Sequence, residues 1–147
     1  MPKENVMENC FEKQVYFDTL SSSNDYLINL YKSNDFKDVI TVYVDRQVSG
    51  RGRMGRSWYS GNGDGLTFSF SIKLDQTINV FYIHLFVVSA ITQLLHDFKI
   101  SAAVKYPNDI VVDDQKIGGV LTEVISVKNA KYIVVGVGLN VNNQTFS

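Results

Sequence analysis

The spacing of hydrophobic and polar positions changes repeatedly along the chain, and each change marks an element. Val15 to Phe17 alternate with polar neighbours, as in a short half-buried strand. Tyr26, Leu27, Leu30 and Tyr31 then recur at helical spacing behind Ser21-Ser22-Ser23-Asn24. A helix capped by Ser22 or Ser23 fits, with Asp25 favourable against the positive end of the helix dipole. Val39 to Val44 is rich in β-branched residues and predicts a strand. Leu66 to Leu74 predicts another, with Leu66, Phe68, Phe70 and Ile72 on one side. Between Gln76 and Phe98, apolar residues from Val80 to Leu95 recur every three or four positions, which predicts a long, largely buried helix.

Pro107 disfavours helical backbone at Tyr106, so Ala103 to Tyr106 reads as extended chain, followed by a turn at Pro107-Asn108-Asp109. Ile110 to Val112 and Lys116 to Val127 read as a hairpin turning at Asp113-Asp114. A second turn at Lys128-Asn129 returns the chain through Lys131 to Val141. The implied fold class is α+β: a mostly antiparallel mixed sheet with both helices packed on one face and the glycine-rich loops on or beside the other. No repeat or linker divides residues 1–147, so the chain reads as a single domain.

Composition narrows the function classes. The chain is 45% hydrophobic and 20% charged with a net charge of −1, an ordinary globular balance that speaks against general nucleic-acid binding. The apolar run Val80 to Leu95 is broken by His84, Ser89, Thr92 and Gln93 and reads as too short for a membrane span. Met1 to Gln14 carries Glu4, Glu8 and Glu12 and no signal-type apolar run, which points to the cytoplasm. Cys10 is the single cysteine, so neither an intrachain disulfide nor a cysteine zinc cluster can form. His84 and His96 have no metal-ligand spacing and read as packing or surface residues.

Against that background Gly50 to Ser71 stands out. All four arginines (Arg46, Arg51, Arg53, Arg56), the sole tryptophan (Trp58) and six of the ten glycines lie in or beside it. So much glycine argues against regular structure, and a loop of about twenty residues in a compact domain usually has a function. Bare amides with guanidinium groups every few residues suit a bound carboxylate or phosphate. A solvated basic connection or an RNA-contacting segment is the alternative for the loop read by itself.

Read together, the motifs resemble those of biotin–protein ligases. Gly50-Arg51-Gly52-Arg53-Met54-Gly55-Arg56-Ser57-Trp58 resembles the family's Gly-Arg-Gly-Arg-x-Gly-Arg-x-Trp. Lys105-Tyr106-Pro107-Asn108-Asp109 is similar to its Lys-Trp-Pro-Asn-Asp, and Lys116 to Glu123 to its Lys-Ile-(Gly/Ala)-Gly-x-Leu-x-Glu. Gly136 to Asn142 resembles Gly-x-Gly-x-Asn-x-Asn, Ser22-Ser23-Asn24 resembles Ser-Thr-Asn, and Gln47 holds the place of a glutamine before the loop. Tyr106 and Ser23 are mild departures. The family usually continues into a small C-terminal β-barrel domain, and some members begin with a helix-turn-helix; the chain reads as the catalytic domain without either.

The resemblance implies a class II synthetase-like catalytic domain that joins biotin to a lysine of a biotin carrier domain, such as that of a biotin-dependent carboxylase. ATP and Mg2+ are required, and the route runs through biotinyl-5'-adenylate. Arg53 and Lys105 are the implied catalytic cations. Ser22, Ser23, Asn24, Gln47, Gly50, Arg51, Arg53, Lys105, Gly118 and Gly119 are the implied biotin contacts. Arg53, Arg56, Trp58, Lys105 and Asn140 are assigned to the nucleotide, and Asp109 to Mg2+ or to the turn alone. The loop is expected to be disordered without ligand and to fold over the adenylate, shielding it from water. A catalytically impaired biotin-binding remnant, a lipoate ligase-like acyltransferase and a nucleic-acid-binding module are the rival readings. Neither nucleic acid nor membrane is an expected partner, and homodimerisation is left open.

Overall fold

The computed structural model describes residues 13–33, 40–74 and 77–143. Cys10, the acidic N-terminus, Val39 and Gln76 lie outside the described residues. Seven strands form one sheet: β1 (Gln14–Leu20), β2 (Thr41–Gln47), β3 (Gly65–Lys73), β4 (Ala103–Lys105), β5 (Asp109–Val112), β6 (Gln115–Val127) and β7 (Ala130–Asn140). Their spatial order is β1-β2-β3-β7-β6-β5-β4. Only β1 and β2 pair in parallel, with helix α1 (Ser23–Lys32) between them in the chain. The other pairings are antiparallel. The expected mixed, mostly antiparallel sheet is therefore present.

Helix α1 begins where the sequence places it. Ser22 is the N-cap, in extended backbone, and its hydroxyl accepts the Asp25 amide at 3.3 Å. Leu27 and Tyr31 point inward and pack with Val42, Tyr132 and Val134. Helix α2 (Val80–Asp97) starts at Asn79, whose side chain accepts the Phe81 amide. Its Val87, Val88 and Leu95 pack with Ile110, Val120, Ile133, Val135 and Val137.

Contrary to the expectation from the sequence, the helices do not share one face. Successive side chains of a strand point to opposite faces. In β7, Tyr132 and Val134 meet α1, while Ile133, Val135 and Val137 meet α2. The helices therefore cover opposite faces. The glycine-rich loop shares the α1 face instead of occupying a helix-free one.

Helix α2 is also less buried than its apolar content predicts. Tyr82, Phe86 and Leu94, with Phe98 just beyond, are exposed, because the sheet covers only one side of the helix. At 18 residues α2 runs past the apolar segment read from the sequence, and by length and composition it could cross a bilayer. Its packing against β4, β5 and β6 makes it a core helix of this sheet. Both histidines make hydrogen bonds within the fold, His84 part-buried and His96 at the surface. His84 bridges the Thr122 hydroxyl (2.8 Å) and the Pro107 carbonyl (3.0 Å), and His96 meets the Ala102 carbonyl (2.7 Å).

On the α1 face of β3 lies a row of hydroxyls. Thr67, Ser69 and Ser71 are buried there, although strand alternation alone would leave them in water. Tyr31 Oη meets Ser71 Oγ at 2.6 Å, and Ser69 Oγ meets Ser23 Oγ at 2.6 Å. Burial of Ser69 and Ser71 is offset by these partners.

Candidate active site

The loop and the hydroxyl row enclose a cavity of about 190 Å³ on the α1 face. Its floor is β3, β6 and β7, at Thr67, Gly119, Leu121, Gly136 and Gly138. One wall is Ser22, Ser23, Asn24 and Gln47, where α1 begins and β2 ends; the other is the loop from Arg51 to Trp58. Asn108, Asp109 and Lys116 close the remaining side.

The polar wall is a continuous network. Gln47 Oε1 accepts from the Ser23 amide (2.7 Å) and the Ser23 hydroxyl (3.0 Å), which leaves Nε2 beside Gly50. Ser69 donates to Asn24 Oδ1 (2.6 Å), and Asn24 Nδ2 donates to Glu123 Oε2 (2.8 Å). Ser23 and Asn24 are each only 3% exposed, so rotamers in this wall are fixed before any ligand arrives.

Two glycines of β7 make room for the site. A Cβ on Gly136 would lie 2.3 Å from Asn24 Oδ1, and one on Gly138 would lie 2.3 Å from Trp58 Cε2. Glycine inside a strong strand signals close approach. Here the approaching groups are Asn24 and Trp58. The Trp58 indole is pressed against the strand with its buried Nε1 unpaired, while Lys116 Nζ stands 5.7 Å from its ring centroid.

The loop is a closed hairpin. Arg51 and Ser57 form an antiparallel bridge, Gly52 N donates to Arg56 O (2.7 Å), and Trp58 N donates to Gly50 O (2.8 Å). Its tip is a short 3-10 turn, Arg53–Gly55, where Met54 (φ 55°) and Gly55 (φ 73°) take left-handed backbone. Arg53 Nη1 donates to Asn108 Oδ1 at 3.0 Å, joining tip to opposite wall.

Charge in the cavity is unevenly committed. Arg51 faces Glu123 with both terminal nitrogens (2.8 and 3.0 Å) and Asp25 at 2.7 Å. Partial burial works against its charge, but the hydrogen bonds and charges of Glu123 and Asp25 outweigh it and hold the guanidinium above its ordinary pKa. Lys116 is paired with Asp109 at 2.8 Å. Arg53 and Arg56 have no acidic partner among the described residues.

Most of the residues expected at the site line this cavity: Ser22, Ser23, Asn24, Gln47, Arg51, Arg53, Arg56, Trp58, Asp109 and Gly119. Four do not. Lys105 is exposed at the sheet edge, paired across the hairpin with Asp109, and Lys116 brings the ammonium group into the cavity instead. Gly118 faces Leu139 and Ile110 on the α2 side; its neighbour Gly119 is the lining residue. Gly50 is buried at the base of the hairpin, where a Cβ would meet Trp58 O at 2.4 Å. Asn140 ends β7, paired with Gly65. Asp109 is held by Lys116, and the described residues contain no cluster of three or more potential metal ligands.

Several lining or supporting residues are given no site role from the sequence: Lys116, Asn108, Thr67, Ser69, Asp25 and Glu123. The strict Thr-x-Ser-x-Ser alternation in β3 is the one sequence signal that could have found the hydroxyls.

Comparison with known proteins agrees with this geometry. Residues 16–140 match the Biotin/lipoate A/B protein ligase family. A bifunctional ligase/repressor of Bacillus subtilis is 32% identical over 133 residues, covering 88% of this chain and 41% of the relative. A biotin acetyl coenzyme A carboxylase synthetase from Helicobacter pylori, solved with bound biotinylated ATP, superposes with a TM-score of 0.80 at 28% identity. That alignment covers 92% of this chain and 65% of the other. A biotin protein ligase from Aquifex aeolicus in complex with biotin and ATP gives 0.76 at 29% identity, covering 93% and 56%. The chain thus spans well under two thirds of the length of the Bacillus protein it matches. With the match running from β1 to the end of β7 and taking in every wall of the cavity, the chain belongs to the Biotin/lipoate A/B protein ligase family.

Proposed function

We propose that the chain catalyses ATP-dependent attachment of biotin to a lysine of a biotin carrier domain, through biotinyl-5'-adenylate. The observation that carries this reading is the pair of uncommitted guanidiniums, Arg53 and Arg56, beside a pre-formed polar slot in one cavity. The solved proteins described above with biotin and ATP, or biotinylated ATP, support the choice of ligand.

The slot suits a ureido ring. Ser22, Ser23, Asn24 and Gln47 with Thr67 offer donors and acceptors in fixed positions, and Gly119 lets the floor come close. The biotin carboxylate and the triphosphate repel each other, and cations must offset that repulsion. Arg53 at the hairpin tip, Arg56 and the Lys116 ammonium stand around the same space. As the carboxylate oxygen bonds to the α-phosphorus and pyrophosphate departs, charge grows on phosphoryl oxygens that these groups can hold. In the second step a carrier lysine amine bonds to the anhydride carbonyl and AMP leaves. Trp58, with its free indole N–H, is assigned to the adenylate side.

Mg2+ fits this chemistry as an ion brought with the phosphates. Asp109 is the one carboxylate among the lining residues, and Mg2+ commonly takes one or two carboxylates plus substrate phosphates. Asp109 must leave Lys116 to serve it, and the same exchange would free the ammonium for the ligand. We place the reaction in the cytoplasm, where ATP and the carrier are available.

The test is biotin-dependent exchange of labelled pyrophosphate into ATP. Exchange above background supports adenylation. Biotin binding without exchange would reduce the chain to a binding remnant, and no binding of either substrate would remove the reading.

A further inference from the structure

Two imidazoles of α2 face backbone carbonyls on either side of β4. His96 meets the Ala102 carbonyl at 2.7 Å, just before the strand, and His84 meets the Pro107 carbonyl at 3.0 Å, just after it. The lengths match. Helix α2 rises about 18 Å from His84 to His96, and the chain from Ala102 to Pro107 reaches about 17 Å when extended. Strand β4 gains from such a hold, because it is 3 residues long and pairs with β5 alone. Its two ends lead to different places. Ala102 leads back towards α2, whereas Pro107 leads into Asn108 and Asp109, which line the cavity.

We infer that His84 is a positioning residue: from the α2 face of the sheet it fixes the Pro107-Asn108-Asp109 turn that walls the cavity on the other face. The inference deepens the biotin ligase reading and rests on it for what the turn faces. A carbonyl only accepts, so Nε2 carries the ring proton towards Pro107. Nδ1 is then the acceptor, and the Thr122 hydroxyl donates to it at 2.8 Å. Thr122 lies two residues beyond Val120, which packs in the α2 core, so both are on that face of β6 and the sheet itself orients the ring. The next carbonyl of the turn, Asn108 O, accepts the Val120 amide at 3.0 Å. The turn is thereby held from two directions. Its side chains emerge on the cavity side, Asn108 Oδ1 against Arg53 and Asp109 against Lys116. A turn displaced by about 1 Å would carry both groups away from the phosphates, and small misplacements far from the chemistry are costly to rate.

In the ligand-free full chain, hydrogen exchange of the Val120 amide reports the hold on the turn. His84→Ala should speed it by about tenfold, and so should His84→Asn, whose shorter amide reaches Thr122 but not Pro107. His84→Gln restores a donor at the distance of Nε2 and should return it to within about threefold of the parent. His96→Ala removes the same kind of bond from the far end of β4 and should leave Val120 within about twofold. In labelled-pyrophosphate turnover, His84→Ala should lower kcat by about tenfold and leave the biotin KM within about twofold, because the bonds of Ser23, Asn24 and Gln47 do not involve the turn. Melting curves show which variants are folded, and the comparison of Gln with Asn stands even where the Ala variant does not fold. Equal behaviour of the Gln and Asn variants, or of His84→Ala and His96→Ala, would leave packing alone and overturn the inference. A parent chain without pyrophosphate turnover would overturn the proposed function, and the Val120 readout would still decide the role of His84.

Discussion

Asn24 Oδ1 occupies the place a side chain on Gly136 would have to enter, 2.3 Å from its ideal Cβ. That contact joins the start of α1 to the middle of β7 and sets the depth of the slot. Gly136→Ala should push Asn24 off the sheet and break its bonds to Ser69 and Glu123. Overpacking of this kind costs about 1–3 kcal/mol. The expected result is a lower melting midpoint with a loss of biotin affinity by calorimetric titration. An unchanged biotin Kd would show that the Asn24 wall takes no part in recognition.

Arg53 keeps its charge unpaired at the hairpin tip. Arg53→Ala should lower the rate of adenylate formation by about 10²–10³, the usual cost of deleting one preorganised charge-stabilising donor. The fold should be unaffected, because the side chain is exposed and is held, among the described residues, by a hydrogen bond to Asn108. Pyrophosphate exchange beside a melting curve decides it.

Lys116 and Lys105 give opposite expectations. Lys116→Met removes the ammonium beside Trp58 and Asp109 and should cut exchange by about a hundredfold. Lys105→Met should stay within about threefold of the parent, as an exposed edge residue. A large loss in the second variant with a small one in the first would reverse the assignment made from the cavity lining.

Tyr16 donates to Asp45 across the parallel β1–β2 pair. That bond, with smaller contributions from desolvation and from the Asp45 and Asp18 charges, raises the Tyr16 pKa above its ordinary value. A raised folded-state pKa means that the protonated form is favoured in the fold. The associated stability is present below the unfolded pKa and lost as pH rises through the folded value, above about 10. Alkaline absorbance titration should show a late phenol that is missing in Tyr16→Phe and shifted to lower pH in Asp45→Asn. A titration unchanged by Asp45→Asn would dismiss the coupling.

Much of this site was legible in the chain because its parts sit in contiguous motifs. Ser22 to Asn24, Gln47, Arg53, Arg56, Trp58 and Gly119 are named through the motifs that carry the resemblance, and they line one cavity. Lys105, assigned through the resemblance, lies outside the cavity lining, whereas the register shift at Ile110/Val111 in the β5–β6 pair and the return of β6 set Lys116 beside Asp109. The two-sided sheet did leave a trace. Tyr132 to Val135 is an unbroken apolar run, which signals a strand covered on both faces.

The buried hydroxyls of β3 have a consequence for how such a scaffold can change. Ligand choice is written on a rigid strand and the start of a helix, whereas charge is carried by a hairpin joined to them through a few side chains. Altering Thr67 or Ser69 should change which small molecule is accepted with little effect on the acid-activating chemistry. Altering the hairpin should do the reverse. Substrate range and reaction can therefore drift separately, one substitution at a time, without redesign of the sheet.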